Sequence, residues 1–303
     1  MKNKRVVAVS ACLLGFNCRY DGKNNKNESV LQLTEGCTVV PLCPEIEGGL
    51  PCPRTPAEIV SGRVVTKDGV DVTGPFKEGA EKCFHRVLES KPDFVVLSSL
   101  SPSCGVNQIY DGSFSGLRIK GSGVFASLLK EAGITVIDSF SIRHSLEGDL
   151  PRIMELYKEA RVFMAEHGNP NQWGPTNWPP ESHIREDIRR EKSYVSLYRG
   201  EIVGTFYFDF GTDIEPTYRK IEGGEWKGPS SYGVVHRIAT DSGFRSVGRF
   251  CLEWAYSRCE SLRIDTHPDN SIMQKLLERC GFVRRGIIHV EEDAYPRFAY
   301  ELF

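Results

Sequence analysis

Three short β-branched runs, Arg5-Val-Val-Ala-Val9, Thr38-Val-Val-Pro-Leu42 and Phe94-Val-Val-Leu-Ser98, each give way to a turn-forming loop that carries a cysteine: Cys12, Cys43 and Cys104. Apolar runs this continuous suit strands buried on both faces, the situation of a parallel sheet covered by helices. The intervening sequence supplies those helices. Thr73-Gly-Pro-Phe76 opens one with Thr73 as N-cap, and Phe76, Ala80, Cys83, Phe84, Val87 and Leu88 recur at helical spacing up to Ser90. A second is predicted from about Gly123 to Ala132, stopped by Gly133, with Ile134 to Ile137 as a further strand. Alternation of this kind predicts an α/β domain with a mostly parallel, Rossmann-like sheet over residues 1–139.

A chain of 303 residues has room for a second domain, and the pattern changes after Ser139. A strand is followed by a helix opening near Leu150-Pro151, then by a polar loop from Asn169 to Pro180. Tyr194 to Tyr198 and Ile202 to Phe208 read as a hairpin about Arg199-Gly200. A strand over Gly233 to Ala239, a helix over about Val247 to Cys259, a strand over Leu262 to Asp265 and a helix over Ser271 to Cys280 precede terminal strands. This predicts a second α/β domain over residues 140–303.

Net charge is −2, divided as +1 up to Ser139 and −3 beyond it, so neither part is a basic module and no long nucleic acid is expected as partner. There is no apolar run of roughly 18 residues to cross a membrane, and a cytoplasmic location is expected. Small molecules are the expected partners of both domains. A disulfide framework would need an oxidising compartment, for which the sequence gives no sign. Seven of the ten cysteines nevertheless fall before residue 105.

In an open parallel sheet, the loops after the strands lie on one rim. Cys12, Cys43 and Cys104 are therefore expected to converge. Only His85 precedes His144, so the donors are soft thiolates, which favour an iron–sulfur cluster or zinc. Three protein ligands leave one metal position open for reaction. Against this stands the reading of free cysteines as small buried apolar residues. That second reading is preferred for Cys83, which lies on an apolar helix face.

Ser10-Ala-Cys-Leu-Leu-Gly15, Arg19-Tyr-Asp-Gly22, Cys43-Pro-Glu45, Gly48-Gly-Leu-Pro-Cys-Pro-Arg54, Ser101-Pro-Ser-Cys-Gly105 and Ile109-Tyr-Asp-Gly-Ser-Phe-Ser-Gly116, in this order, resemble the thiouracil desulfidase (TudS-like) family. The resemblance implies a 4Fe-4S cluster held by Cys12, Cys43 and Cys104, with the substrate sulfur on the fourth iron. It implies Glu45 as the carboxylate that activates water and Ser101 as the assisting serine, with Ser103 as the nearby alternative. Cys18, Cys37 and Cys52 are further thiols in the same region, and Cys52 ranks next as a ligand. The implied substrate is a small thiocarbonyl compound such as a thiouracil.

Val235 to Phe250, Leu262 to Asn270 and Met273 to Phe282 resemble the GNAT acetyltransferase superfamily, over about Ile142 to Phe303. The resemblance implies a mixed central sheet and acetyl-CoA bound by Ile238, Arg245, Ser246, Val247, Gly248 and Asn270, with a small-molecule or peptide amine as acceptor. Phe250 stands where the family has Gly or Ala, which predicts a helix start crowded against the pyrophosphate, and Leu277 stands where a catalytic tyrosine is common. His236, His267 and Tyr295 are candidate acids, each read first as packed or surface residues, and Trp173, Trp178 and Trp226 either line an acceptor pocket or anchor a core. Cys251, Cys259 and Cys280 fit helix packing. The leading expectation is a bifunctional desulfidase and N-acetyltransferase. The alternatives are an acetyltransferase with a metal-binding regulatory domain and a non-catalytic ligand-binding fusion.

Overall fold

The computed structural model describes residues 5–290 and 294–303. Contacts divide the chain into two compact units, Met1–Ser141 and Ile142–Phe303. The first contains β1 (Val6–Ser10), α1 (Glu28–Leu33), β2 (Thr38–Leu42), α2 (Pro44–Glu47), β3 (Ala57–Val60), β4 (Arg63–Thr66), α3 (Thr73–Ser90), β5 (Phe94–Leu97), β6 (Gln108–Tyr110), β7 (Arg118–Lys120), α4 (Val124–Glu131) and β8 (Val136–Asp138). Its central sheet has the order β2-β1-β5-β8, every pair parallel. Ala8, Val95 and Leu97 of the sheet pack against Ala80, Cys83 and Val87 of α3 and Phe125, Ala126 and Leu129 of α4. Burying a side chain the size of Phe125 contributes about 2–3 kcal/mol, so this layer is the main support of the rim above it.

The start of α3 corrects the sequence reading. Val72 occupies the N-cap position without a side-chain cap. The Thr73 hydroxyl instead accepts the amide of Val64 at 2.9 Å, while Asp71 accepts the amide of Thr73 at 2.9 Å. Asp71 thus does the work assigned to Thr73, which is left to tie the helix to β4. Two small antiparallel hairpins, β3–β4 and β6–β7, were not anticipated. The first closes through Ser61 and Gly62 at φ 48° and 78°, the two left-handed positions of a tight hairpin turn.

The second unit contains β9 (Ser141–His144), α5 (Leu150–Glu166), α6 (Glu181–Arg189), β10 (Ser193–Tyr198), β11 (Glu201–Thr212), β12 (Ser231–Thr240), α7 (Val247–Tyr256), β13 (Leu262–Thr266), α8 (Ser271–Arg279), β14 (Val283–His289) and β15 (Pro296–Leu302). Its sheet, in the order β14-β15-β13-β12-β11-β10-β9, is mixed: β12–β13 is parallel, while β10–β11, β11–β12, β13–β15 and β14–β15 are antiparallel. Both units therefore have the expected α/β class.

The parallel pair is short. β12 meets β13 at Gly233↔Leu262 and Val234↔Arg263, although β12 runs on to Thr240 and β13 to Thr266. The strands part after these pairs and a cavity of about 320 Å³ opens, lined on one side by Val235 to Thr240 and on the other by Ile264 to Thr266. Among the described residues no helix is long and apolar enough to cross a membrane.

Candidate functional site

Each of the three cysteine loops in the first unit is fixed by a separate device. Cys12 sits in the 3-10 turn Ala11–Leu14, which ends at Gly15 with φ 98°, a left-handed conformation that glycine adopts without strain. Cys43 is the N-cap residue of α2. That short helix lies directly on α3: a Cβ at Gly79 would stand 1.8 Å from the Pro44 carbonyl oxygen, and one at Gly48 would stand 2.1 Å from that of Pro75. Cys104 follows β5 in a loop held by the start of α4, where the amides of Phe125 and Ala126 donate to the Ser103 carbonyl at 2.9 and 3.2 Å.

The thiols meet. Cys18 hydrogen-bonds to both Cys12 and Cys43, and this is the largest influence pulling those two thiols below the ordinary range. Cys18, as the shared donor, is pushed up. Cys104, 6% exposed, is pushed well above the ordinary range by burial, and it feels the charges of Cys12, Glu45 and Cys43. It also belongs to the apolar core, so both readings of a free cysteine apply to it at once. Cys83 is pushed up to about 12 by burial and lies within the same core, as an inert packing thiol should. Cys52, ranked next from sequence, is exposed and donates to the carbonyls of Asn17 and Arg19 at 3.3 and 3.2 Å. The thiol between Cys12 and Cys43 is Cys18.

Glu45, one residue into α2 from its Pro44, is clamped from two sides. Arg54 donates to Oε2 through Nε at 2.9 Å and through Nη2, and Ser101 donates to Oε1 at 3.2 Å. The Ser101 oxygen in turn accepts the amides of Ser103 and Cys104, both at 3.1 Å. One hydroxyl therefore joins the carboxylate to the Cys104 loop. Ser103 is fully buried, and its hydroxyl makes no hydrogen bond within the described residues. Arg54 also donates to the Cys18 carbonyl at 3.2 Å, which ties the central thiol's loop to the same clamp. Nothing in the sequence around Arg54 marks it as the partner of Glu45. Its signal was present only in three dimensions.

In the second unit, Ile238, Gly248 and Asn270 line the cavity. Asn270 is already engaged: its Oδ1 accepts the Met273 amide at 3.1 Å and its Nδ2 donates to Gln172 at 3.0 Å. Arg245 and Ser246 lie on the turn before α7, with Ser246 at φ 67°, and Val247 is buried in the first turn of that helix. Phe250 is fully buried and is not among the residues that line the cavity. Leu277 is likewise fully buried.

Of the three candidate acids only His236 lines the cavity. His267 is buried with its ring edge-on to Tyr295 at 5.0 Å. Trp173 and Trp178 line the cavity, whereas Trp226 packs on Tyr218 at 5.1 Å and donates to that residue's carbonyl at 2.8 Å. Burial pushes Cys251 and Cys259 up to about 12, in keeping with packing roles.

The 2-thiouracil desulfurase family profile matches residues 7–139. A curated relative, the uncharacterized protein YbbK of Bacillus subtilis strain 168, is 43% identical over 142 residues, which are 44% of this chain and 94% of that protein. Among solved structures, a 4Fe-4S-dependent thiouracil desulfidase, TudS, is 38% identical with a TM-score of 0.42, over 50% of this chain and 95% of its own. A GNAT-family acetyltransferase from Streptococcus agalactiae 2603 is 26% identical with a TM-score of 0.49, over 54% of this chain and 94% of its own.

Proposed function

Through residues 7–139 the chain belongs to the 2-thiouracil desulfurase family, and on that premise we propose that it hydrolyses a thiocarbonyl substrate such as a thiouracil, while residues 140–303 transfer an acetyl group from acetyl-CoA to an amine. The observation that carries the first activity is Glu45, fixed between Arg54 and Ser101 beside the group of thiols.

The donor set fits a 4Fe-4S cluster: Cys12, Cys43 and Cys104 are three soft thiols on the loops that follow the adjacent parallel strands β1, β2 and β5, and three protein ligands leave one metal position open. These three residues would hold the cluster, which when bound supplies a soft Lewis-acid iron for the thiocarbonyl sulfur.

The protein's own residues supply the rest. A carboxylate has about four acceptor positions, so Glu45 retains room for a water beyond the bonds from Arg54 and Ser101. As the water oxygen adds to the thiocarbonyl carbon, Glu45 takes one of its two protons; the adduct then collapses to a carbonyl, the carbon–sulfur bond breaks, and the remaining hydroxyl proton goes to the departing sulfur, which leaves as hydrosulfide. Arg54 and Ser101 keep the carboxylate aimed, and Ser101 keeps it in register with the Cys104 loop.

For the second activity, the parted strands β12 and β13 support an extended thioester ligand. Gly248, in the first turn of α7, lies on the cavity wall, and a helix N-terminus suits a pyrophosphate. Acetyl-CoA should raise the melting temperature of the full chain.

Anaerobically purified protein should be brown and should release sulfide from 2-thiouracil. Cys12→Ala, Cys43→Ala and Cys104→Ala should each lose iron and activity together. Glu45→Gln should keep iron and lose activity. Full activity in an iron-free preparation would overturn the proposal.

A further inference from the structure

At the point where β12 and β13 part, an imidazole stands between two carboxylates. His236 on β12 places Nε2 at 2.9 Å from Glu215 Oε2, while its Nδ1 lies 3.5 Å from Asp265 Oδ1 on β13. All three residues line the cavity. The two sides of the ring are not equivalent. The first distance is a hydrogen bond and the second is too long for a good one. A neutral ring with its proton on Nε2, toward Glu215, therefore presents a lone pair at Nδ1. This is the arrangement in which a carboxylate orients an imidazole so that the opposite nitrogen acts as a base.

Glu215 is built to do this. Its Oε1 also accepts the Thr217 hydroxyl at 2.7 Å and the Thr217 amide at 3.2 Å. Burial alone would raise the Glu215 carboxyl, but the His236 hydrogen bond and charge, with Thr217, outweigh it and hold the group at about 2. Asp265 is held in turn, accepting the Tyr218 hydroxyl at 2.8 Å, with Arg297 Nε 4.0 Å from its other oxygen. Other charged or titratable neighbours of the ring include Tyr207 on β11, at 5.8 Å between ring centroids, Tyr218, edge-on at 5.9 Å, and the Arg237–Asp187 ion pair, closed at 2.8 Å. The Arg237 charge is thus already met, and Glu215 and Asp265 make this end of the cavity attractive to a cation. Trp173, Trp178 and Phe163 give the same cavity apolar walls.

We infer that His236 Nδ1 is the base that takes a proton from the ammonium group of an arylalkylamine acceptor, with Glu215 as the positioning residue and Asp265 as the cation's anchor. The inference rests on the acetyl-transfer reading given above. The ammonium loses one proton to Nδ1, and its nitrogen then attacks the thioester carbonyl carbon. The carbon–nitrogen bond forms, the carbon–sulfur bond breaks, and the coenzyme A sulfur leaves with the electron pair and takes up the second amine proton. The imidazolium returns its proton to solvent.

The test uses the full-length protein with acetyl-CoA and two probes that differ by one carboxylate, 2-phenylethylamine and phenylalanine. The amine should be acetylated with kcat/KM at least tenfold above the amino acid. His236→Gln should lower kcat by about 10²- to 10⁴-fold while keeping the melting shift caused by acetyl-CoA. Glu215→Gln should lower kcat more than it changes KM, and Glu215→Asp should recover part of the loss. Asp265→Asn should act mainly on KM. Independently of any acceptor, nitrogen-15 spectra should show neutral His236 protonated at Nε2. The opposite tautomer, an unchanged rate in His236→Gln or a preference for phenylalanine would overturn the assignment even where acetyl-CoA binds. Absence of any acetyl-CoA shift would instead overturn the acetyl-transfer reading and this inference with it.

Discussion

Arg54→Met removes the clamp on Glu45 while keeping an unbranched apolar stem of similar reach. The Arg54 and Glu45 side chains are only 8% and 15% exposed. The guanidinium donates to Glu45 twice, to the Pro51 carbonyl at 3.2 Å and to the Cys18 carbonyl at 3.2 Å. Removing one partner of a buried ion pair costs about 3–5 kcal/mol, because the other charge is left without compensation. Solvent reaches the edge of Glu45 and Ser101 still donates to it, so a loss of about 2–3 kcal/mol is the better figure here. For a unit of this size that lowers the melting temperature by roughly 6–12 °C. Calorimetry on the full chain, with the first unit followed by amide exchange in β1, β2 and β5, measures it. Removing both partners in Arg54→Met/Glu45→Leu should restore about 2 kcal/mol relative to the sum of the single changes. Arg54→Lys should recover part of the stability but little sulfide release, since an ammonium lacks the planar fork that aims the carboxylate. Strict additivity of the two single changes would refute the claim that Arg54 and Glu45 act as a unit.

Gly79→Ala forces a methyl group to within 1.8 Å of the Pro44 carbonyl oxygen, so α2 must shift off α3. Overpacking against backbone should cost about 3 kcal/mol or more, with loss of iron in anaerobic preparations as Cys43 moves. Ser246→Gly relieves a non-glycine residue held at φ 67° and should raise stability by up to about 1 kcal/mol, read as a higher melting temperature. Glu215→Gln has a pH signature in denaturant titrations. The carboxyl is held at about 2 against an ordinary 4.5, so its contribution is full above pH 4.5 and disappears as pH falls toward 2. A stability gap to wild type of about 2 kcal/mol at pH 6, reduced for partial exposure, should therefore close steadily below pH 4.5.

The strands of both sheets were legible because β-branched runs and a single Arg199-Gly200 turn leave little choice of conformation, and the left-handed pair at φ 53° and 91° is what that turn required. α6 was missed because Glu-Ser-His-Ile-Arg-Glu-Asp-Ile-Arg buries only Ile184 and Asp187, too thin an apolar stripe to show in a polar segment. The placing of Thr73 as a cap failed because the helix begins one residue earlier than a Thr73 cap requires and the Thr73 hydroxyl is taken by the Val64 amide of the neighbouring hairpin, a contact that sequence alone does not show. At the first site, residue types were readable and adjacency was not. Along the chain Cys52, within its Gly-Gly-Leu-Pro motif, ranks ahead of Cys18, yet the turn after Gly15 carries Cys18 against two thiols while Cys52 faces backbone carbonyls. Glu215 lies just ahead of the short turn Pro216–Arg219, far from His236 in sequence, and no period or motif marks it.

Separate anchoring of the three cysteine loops bears on how the cysteine variants should be interpreted. Cys12 depends on its own 3-10 turn, Cys43 on the glycine contact between α2 and α3, and Cys104 on the amides of α4 that grip Ser103. None of these anchors uses a sulfur atom. Replacing one thiol by alanine therefore removes a donor without releasing the loop that bore it, and the other two thiols keep their places. Of the three, Cys104 alone is packed in the apolar core, so Cys104→Ala leaves a small cavity and should cost about 1 kcal/mol more stability than Cys12→Ala or Cys43→Ala. If iron is lost equally from all three variants while only Cys104→Ala melts early, iron loss follows the missing donor rather than unfolding. Equal early melting in all three would show that the sulfurs themselves hold the rim together.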